Sequence, residues 1–156
     1  MCWISWNTKK NNDLIRSTKL PITIENLDGD GFHIFTEIKM EGRLFRSLID
    51  TGASKTVVSD ELSAQLKKIE IFQQEDSLAK GIGDQVLKTE MAHLPKIRLG
   101  RFKMEGLIVG VMDLSHISVT YSSMGLEPFH VILGGDLLEH YQAVINYKKG
   151  WLKLHL

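Results

Sequence analysis

The run Ser47 to Ser54, SLIDTGAS, carries two apolar residues, Leu48 and Ile49, into an aspartate followed by Thr-Gly-Ala-Ser. Its neighbours push Asp50 toward an interior, Thr51 offers a hydroxyl, and Gly52 permits a turn tight enough for backbone N–H groups to face the carboxylate. A carboxylate held this way can take or give a proton during hydrolysis, but that chemistry needs two such groups. The motif occurs once in the chain. Asp-Thr-Gly is also a common turn sequence, so these residues alone leave a turn former and a catalytic acid both open.

The other reactive residues do not assemble into a competing site. Six histidines, at 33, 93, 116, 130, 140 and 155, make no His-x-x-x-His pair, and one cysteine, Cys2, cannot build a zinc site, so no metal is expected. DGDGF, Asp28 to Phe32, begins like a calcium loop but lacks the later acidic ligands and reads as a hairpin turn. GIGDQV begins like a dinucleotide loop and then has Val86 where a third glycine should stand. No Gly-x-Ser-x-Gly elbow is present, and Cys2 has no histidine near it in sequence, which leaves an acyl-enzyme without support. No cofactor is expected.

The elements that must position Asp50 are mostly strands. LPITIENL, FHIFTEIKM and RLFRSLID are short β-branched and aromatic runs separated by DGDG and EG, which are hairpin signals. After the aspartate, KTVVSDELSAQLKK changes period: Ser59 can cap a short helix, Asp60 and Glu61 suit its first turn, and Leu62 and Leu66 share a face. Residues 77–114 return to strand chemistry, with turns expected at Gly81 to Asp84 and at Gly100 and Arg101, and a break or edge at Pro95. Residues 113–129 are mixed and polar and read as a loop. VILGGDLLEHY reads as a buried strand, two glycines and a short helix, and QAVINYKKGWLKLHL as two strands about a Lys-Gly turn.

Length and charge set the frame. The 156 residues suit one domain, residues 19–156, behind an extension, residues 1–18, of no clear period. Nineteen basic residues balance nineteen acidic ones without a block of either sign, so nucleic acid is not an expected partner. A lone cysteine fits a reducing compartment. MCWISWNTKKNNDL lacks a signal h-region, and the longest apolar run, GLIVGVM, is far short of the roughly 18 residues needed to span a bilayer. A cytoplasmic location with no membrane segment is the expectation.

The pair of motifs, hydrophobic-hydrophobic-Asp-Thr-Gly-Ala-Ser and then Val-Ile-Leu-Gly at Val131 to Gly134, resembles the retropepsin-like aspartic proteases, single-lobe relatives of pepsin. The resemblance covers roughly Leu20 to Leu156. It implies an all-β fold, a closed barrel-like lobe with one or two short helices, and a twofold homodimer in which each subunit supplies Asp50 as the catalytic carboxylate. By the same resemblance, Thr51 ties the two active-site loops together, and Gly52 lets backbone approach the carboxylate. Gly81, Ile82, Gly83 and Asp84 occupy the place of the flap over a peptide substrate, while Ile132, Leu133 and Gly134 support the catalytic loop from behind. Two departures stand out. Gly135 replaces the arginine usual in retroviral members, with Asp136 next as a helix cap. Ala53 replaces the Ser or Thr of pepsin-like lobes, which removes a hydrogen bond to the carboxylate and implies a pH optimum milder than pepsin's. The C-terminal WLKLHL alternates as a strand would, placing Trp151, Leu152, Leu154 and Leu156 in a core or an interface. A noncatalytic peptide-binding or scaffolding module with the same lobe is the competing expectation.

Overall fold

The computed structural model describes residues 16–27, 29, 31–75 and 88–156. The run LPITIENL does not form one strand. It splits into β1 (Ser17–Pro21) and β2 (Thr23–Asn26), which join different sheets. The break follows Pro21, which has no N–H to give a ladder, and Thr36 Oγ1 donates to the Pro21 carbonyl at 2.9 Å to fix the crossing. The expected boundary at residue 18 falls inside β1, whose Ser17 and Thr18 pair with His155 and Leu154.

β3 (Phe32–Met40) and β4 (Arg43–Ile49) form a hairpin closed by Glu41 and Gly42, with φ of 46° and 83°. Two successive positive φ values match the right-handed strand twist. β5 (Val57–Ser59) runs into α1 (Asp60–Gln65), where Ser59 Oγ accepts from Leu62 N at 3.0 Å as the sequence suggests. β6 (Glu70–Glu75) and β7 (Lys88–His93) pair through Glu75 and Lys88. Pro95 breaks the chain before β8 (Ile97–Leu99), which turns at Gly100 into β9 (Phe102–Met104). β10 (Ile108–Met112) follows.

Residues 113–129 are not all loop, because α2 (Ser115–Ser123) forms within them. Its sequence hides it. Only Tyr121 is buried, and Ile117 and Val119 face outward, so there is no apolar stripe to read. Asp113 accepts from Ser115 N at 2.8 Å just ahead of the helix, and its hydrogen bonds from Ser115 hold its carboxyl below the usual range. The remaining elements are β11 (Val131–Leu133), α3 (Gly135–His140), β12 (Val144–Asn146) and β13 (Trp151–His155).

The larger sheet runs β6-β7-β10-β5-β11-β4-β3-β8-β9, with β2 added on β3, and the smaller is β1-β13-β12. Among the described residues no ladder joins β6 to β9, so the expected closure into a barrel is not seen in these ladders. The decisive placement is that of β11, parallel to β4 (Leu133 opposite Ile49) and antiparallel to β5 (Val131 opposite Val58). The chain leaving β4 must therefore pass over the end of β11 to reach β5. The main core gathers Ile38, Leu99, Leu107, Leu133, Leu137 and Leu152, all fully buried. β13 contributes Leu152 and Leu154 to it, while Leu156 is exposed. Because β1 and β12 flank β13, both of its edges are occupied within the chain.

Tyr141 joins α3 to the smaller sheet: its carbonyl accepts from His155 N at 2.7 Å, and its ring lies 5.7 Å from that of Phe102. Burial pushes its phenol up to about 12. The folded-state value lies above that of the unfolded chain, so its contribution to stability is intact below pH 10 and is lost as pH rises toward about 12. Urea unfolding of the parent should weaken over that window more steeply than that of Tyr141→Phe. Parallel stability curves from pH 9 to 12 would show that Tyr141 does not ionise on unfolding.

Candidate active site

Asp50 is the first residue past β4, and its N–H donates to the Leu133 carbonyl at 3.1 Å. The chain then turns on itself. Asp50 Oδ1 accepts from Gly52 N at 2.9 Å and from Ala53 N at 3.3 Å. Both donors fix the orientation of the carboxylate. A Cβ at residue 52 would stand 3.3 Å from the same oxygen, so glycine is what lets the backbone come this near. Ile49 is buried, Asp50 half-buried, and Thr51 and Gly52 exposed, which places an anchored carboxylate at the rim of the core.

The loop from Asp50 to Thr56 is clamped onto the turn between β11 and α3. Gly135 N donates to the Ala53 carbonyl at 2.7 Å. Asp136 Oδ1 accepts from Thr56 N and Thr56 Oγ1, each at 2.8 Å, while Thr56 Oγ1 accepts from Gly134 N at 3.1 Å. There is no room beside this contact. A Cβ on residue 134 would lie 2.4 Å from the Lys55 carbonyl carbon, and one on residue 135 would lie 3.3 Å from the Ala53 oxygen. Position 134 is thus committed to backbone packing, whereas at position 135, where the resemblance led to arginine being expected, a Cβ would be tight but not excluded.

A second apolar cluster underlies the loop. Phe35, Val57, Leu114, Tyr121, Phe129 and Ile132 are buried together, with Leu48 and Ala53 packed against them. Tyr121 lies edge-on to Phe35 and Phe129 and hydrogen-bonds His33 Nδ1. Burial pushes its phenol above its ordinary value, and the Arg46 charge partly opposes the shift. The Arg46 guanidinium itself sits 3.7 Å over the Phe35 ring and 2.5 Å from Glu25. The helix missed in sequence is thereby fixed beside the loop that follows Asp50.

Of the residues singled out in sequence, Asp50, Thr51, Gly52 and Ala53 form one turn, and Ile132, Leu133 and Gly134 lie directly behind it. Gly81, Ile82, Gly83 and Asp84 lie outside the described residues; only the β6–β7 stem that leads to them is seen. Thr56 is the residue sequence reading overlooked, and Asp136 was misjudged. Gly134 is the cap of α3, and Asp136, in its first turn, spends Oδ1 on Thr56 and on Leu137 N. Their separation of eighty positions concealed the pair. Among the described residues, no group of three or more His, Cys, Asp or Glu could hold a metal, and no helix is long and apolar enough to cross a membrane.

A model of the family described as "Aspartyl protease" matches residues 36–137, from β3 into α3. The chain belongs to the retropepsin-like aspartyl protease family. It is 22% identical over 120 residues to Protein DDI1 homolog 1 of Mus musculus and to Protein DDI1 homolog 2 of Homo sapiens. Those matches take in 76% of this chain but only 26–27% of the relatives, so the chain spans about a quarter of their length. Among solved structures, a retropepsin-like aspartic protease from Rickettsia conorii superposes with a TM-score of 0.53 at 18% identity, covering 88% of this chain and 90% of that one. The retroviral protease-like domain of Ddi1 from Leishmania major gives 0.51 at 15% identity, covering 77% and 86%. At these identities the likeness is one of fold.

The clamp makes a prediction about this family member's own architecture. Thr56→Val leaves Gly134 N without its acceptor in a buried place and should cost about 1–3 kcal/mol in urea unfolding. Asp136→Asn keeps an acceptor oxygen and should cost less than Asp136→Ala. Paired with Thr56→Val in a double-mutant cycle, Asp136→Ala should show coupling of about 0.5–3 kcal/mol. Additive losses would mean that the two side chains act separately.

Proposed function

We propose that the chain is an aspartic endopeptidase whose single active site forms between two copies, each contributing Asp50. The observation that carries this reading is the anchoring of Asp50 Oδ1 by Gly52 N and Ala53 N on a loop braced from behind by β11 and α3. Such bracing holds a carboxylate to one geometry, as a reacting group requires. Two carboxylates about 3 Å apart cannot both ionise cheaply and so share a proton, an effect for which aspartic proteases are the standard illustration.

In this reading, the ionised Asp50 removes a proton from a held water, which attacks the peptide carbonyl. The protonated Asp50 of the second copy hydrogen-bonds the carbonyl oxygen and later helps protonate the leaving amine. Thr51, exposed on the free chain, reaches across the twofold axis. The β6–β7 hairpin, with Gly81 to Asp84 at its tip, closes over an extended peptide. Family membership and the similarity in fold support this assignment, and among the described residues β1 and β12 are the outer strands of the smaller sheet, on which two such sheets can join. The absence of a hydroxyl on Ala53 goes with a pH optimum milder than pepsin's, and an optimum below about pH 3 would count against that use of the residue.

Asp50→Asn should abolish cleavage of a mixed peptide library while leaving the unfolding midpoint near that of the parent. Mixing equal amounts of parent and Asp50→Asn chains should leave about a quarter of the dimers with two ionisable Asp50 groups, so activity falls below one half. Activity that falls only in proportion to dilution would place a complete site in each chain. A monomer that binds peptides without cutting them would instead make the lobe a peptide-binding module.

A further inference from the structure

Lys39 on β3 stands directly opposite Arg98 on β8, and Arg98 directly opposite Lys103 on β9. All three are exposed. Like charges facing one another across strands work against pairing. Among the described residues the ion pairs Arg46 with Glu25 and Lys96 with Glu105 involve none of the three.

Two of these cations line a cleft of about 610 Å³. Its cationic lining is Lys39, Arg43, Lys67, Lys68, Lys96 and Arg98, drawn from the β3–β4 hairpin, the segment after α1, and the approach to β8. Among the described residues Glu41 is its one lining carboxylate, and Lys67 N and Lys68 N each donate to it at 3.0 Å. Arg43 and Arg98 reach neutral acceptors, Gln65 Oε1 and the Gly100 carbonyl, which leave their charge uncompensated. An adjoining hollow shares Lys39 and Arg98 and adds Lys19 and Glu37. The volume falls within the usual range of ligand sites. Arg43 opens β4 and Asp50 follows its end, so the cleft lies roughly 20 Å from the carboxylate at the extended rise of a strand.

We propose that this cleft binds an acidic segment, rich in Asp and Glu, of a protein partner. Charge complementarity selects an anion, and among the described residues the lining carries no aromatic or histidine ring on which a nucleobase could stack. The chain as a whole is neutral, with a pI near 7.0, unlike the strongly basic domains that hold nucleic acid. Lysines on flexible stems suit the varied spacing of carboxylates along a peptide. The proposal does not rest on the proteolytic reading, because the cleft is remote from Asp50.

The test uses the Asp50→Asn chain, so that cleavage cannot interfere, and a fluorescein-labelled ten-residue peptide of Glu and Asp at low salt. Binding should be saturable, weaken steeply as salt rises, and be absent for a Gln and Ser peptide of the same length. Adding Lys39→Gln and Arg98→Gln should weaken it by about tenfold, whereas Lys148→Gln with Lys149→Gln, on the β12–β13 turn and outside the lining of the cleft, should leave it unchanged. Relief of the facing charges should also raise the melting temperature of Lys39→Gln by about 1–3 °C, which separates loss of binding from loss of folding. No binding, or equal weakening by the two pairs of substitutions, overturns the site. Tighter binding of a ten-residue oligothymidine, or complete displacement by millimolar tripolyphosphate but not by free acidic peptide, overturns the assignment to an acidic segment.

Discussion

The placement of β11 between β4 and β5 is the constraint on which the site depends. A strand inserted between two that are consecutive in sequence obliges the connection between them to cross its end, and that crossing is the loop that holds Asp50. Nothing larger than glycine fits at residue 134, because the crossing chain comes within 2.4 Å of where a Cβ would be. Close approach in turn lets Gly135 N reach the Ala53 carbonyl, and lets one oxygen of Asp136 serve both donors of Thr56. The carboxylate geometry at Asp50 is thus set by a second segment that contributes no reacting group. Two carboxylates are present at this crossing, and they do different work: Asp50 is held at the rim by backbone donors, while Asp136 is spent on the architecture beneath it.

What could be read from the sequence was what is local. Ser59 caps α1 because its oxygen and the Leu62 N–H are three residues apart, and the β3–β4 turn declares itself in a Glu-Gly pair that must take positive φ. Asp50 was legible for the same reason, since the donors to its side chain are two and three residues on. The Thr56–Asp136 clamp was not legible, because the partners are brought together only by the insertion of β11. Likewise α2 has no stripe to betray it; it forms because Tyr121 finds Phe35 and Phe129, which come from elsewhere in the chain. The split of LPITIENL between two sheets follows from what each half meets, β13 on one side and β3 on the other. The proline second in the run, Pro21, was its local sign.

Charge shows the same limit of local reading. Nineteen cations against nineteen anions, with no block of either sign, give a sequence that looks electrostatically featureless. Folding undoes that evenness. The hairpin tip at Glu41 docks on Lys67 and Lys68 through its carboxylate, and this contact closes one wall of the basic cleft. One carboxylate against two lysines leaves this set net positive, and folding brings Glu41 to one lining with Lys67 and Lys68, far from it in sequence. Net charge therefore describes the long-range field of this chain but not the field that a ligand meets within a Debye length of the cleft.

The two ends of β4 are accordingly put to different uses. At its C-terminal end, backbone donors and a buried clamp fix one carboxylate in a half-buried setting and restrict its motion. At its N-terminal end, exposed lysines and arginines keep their rotamer freedom, and their effect is additive and screened by salt. The first arrangement discriminates by geometry, and substitution there acts through sub-ångström displacement. The second discriminates by charge density, and substitution there acts in graded steps. A rigid strand separating them by roughly 20 Å allows charge at one end to change without moving the carboxylate at the other, because the ladders of β4 to β3 and β11 fix its register along its length.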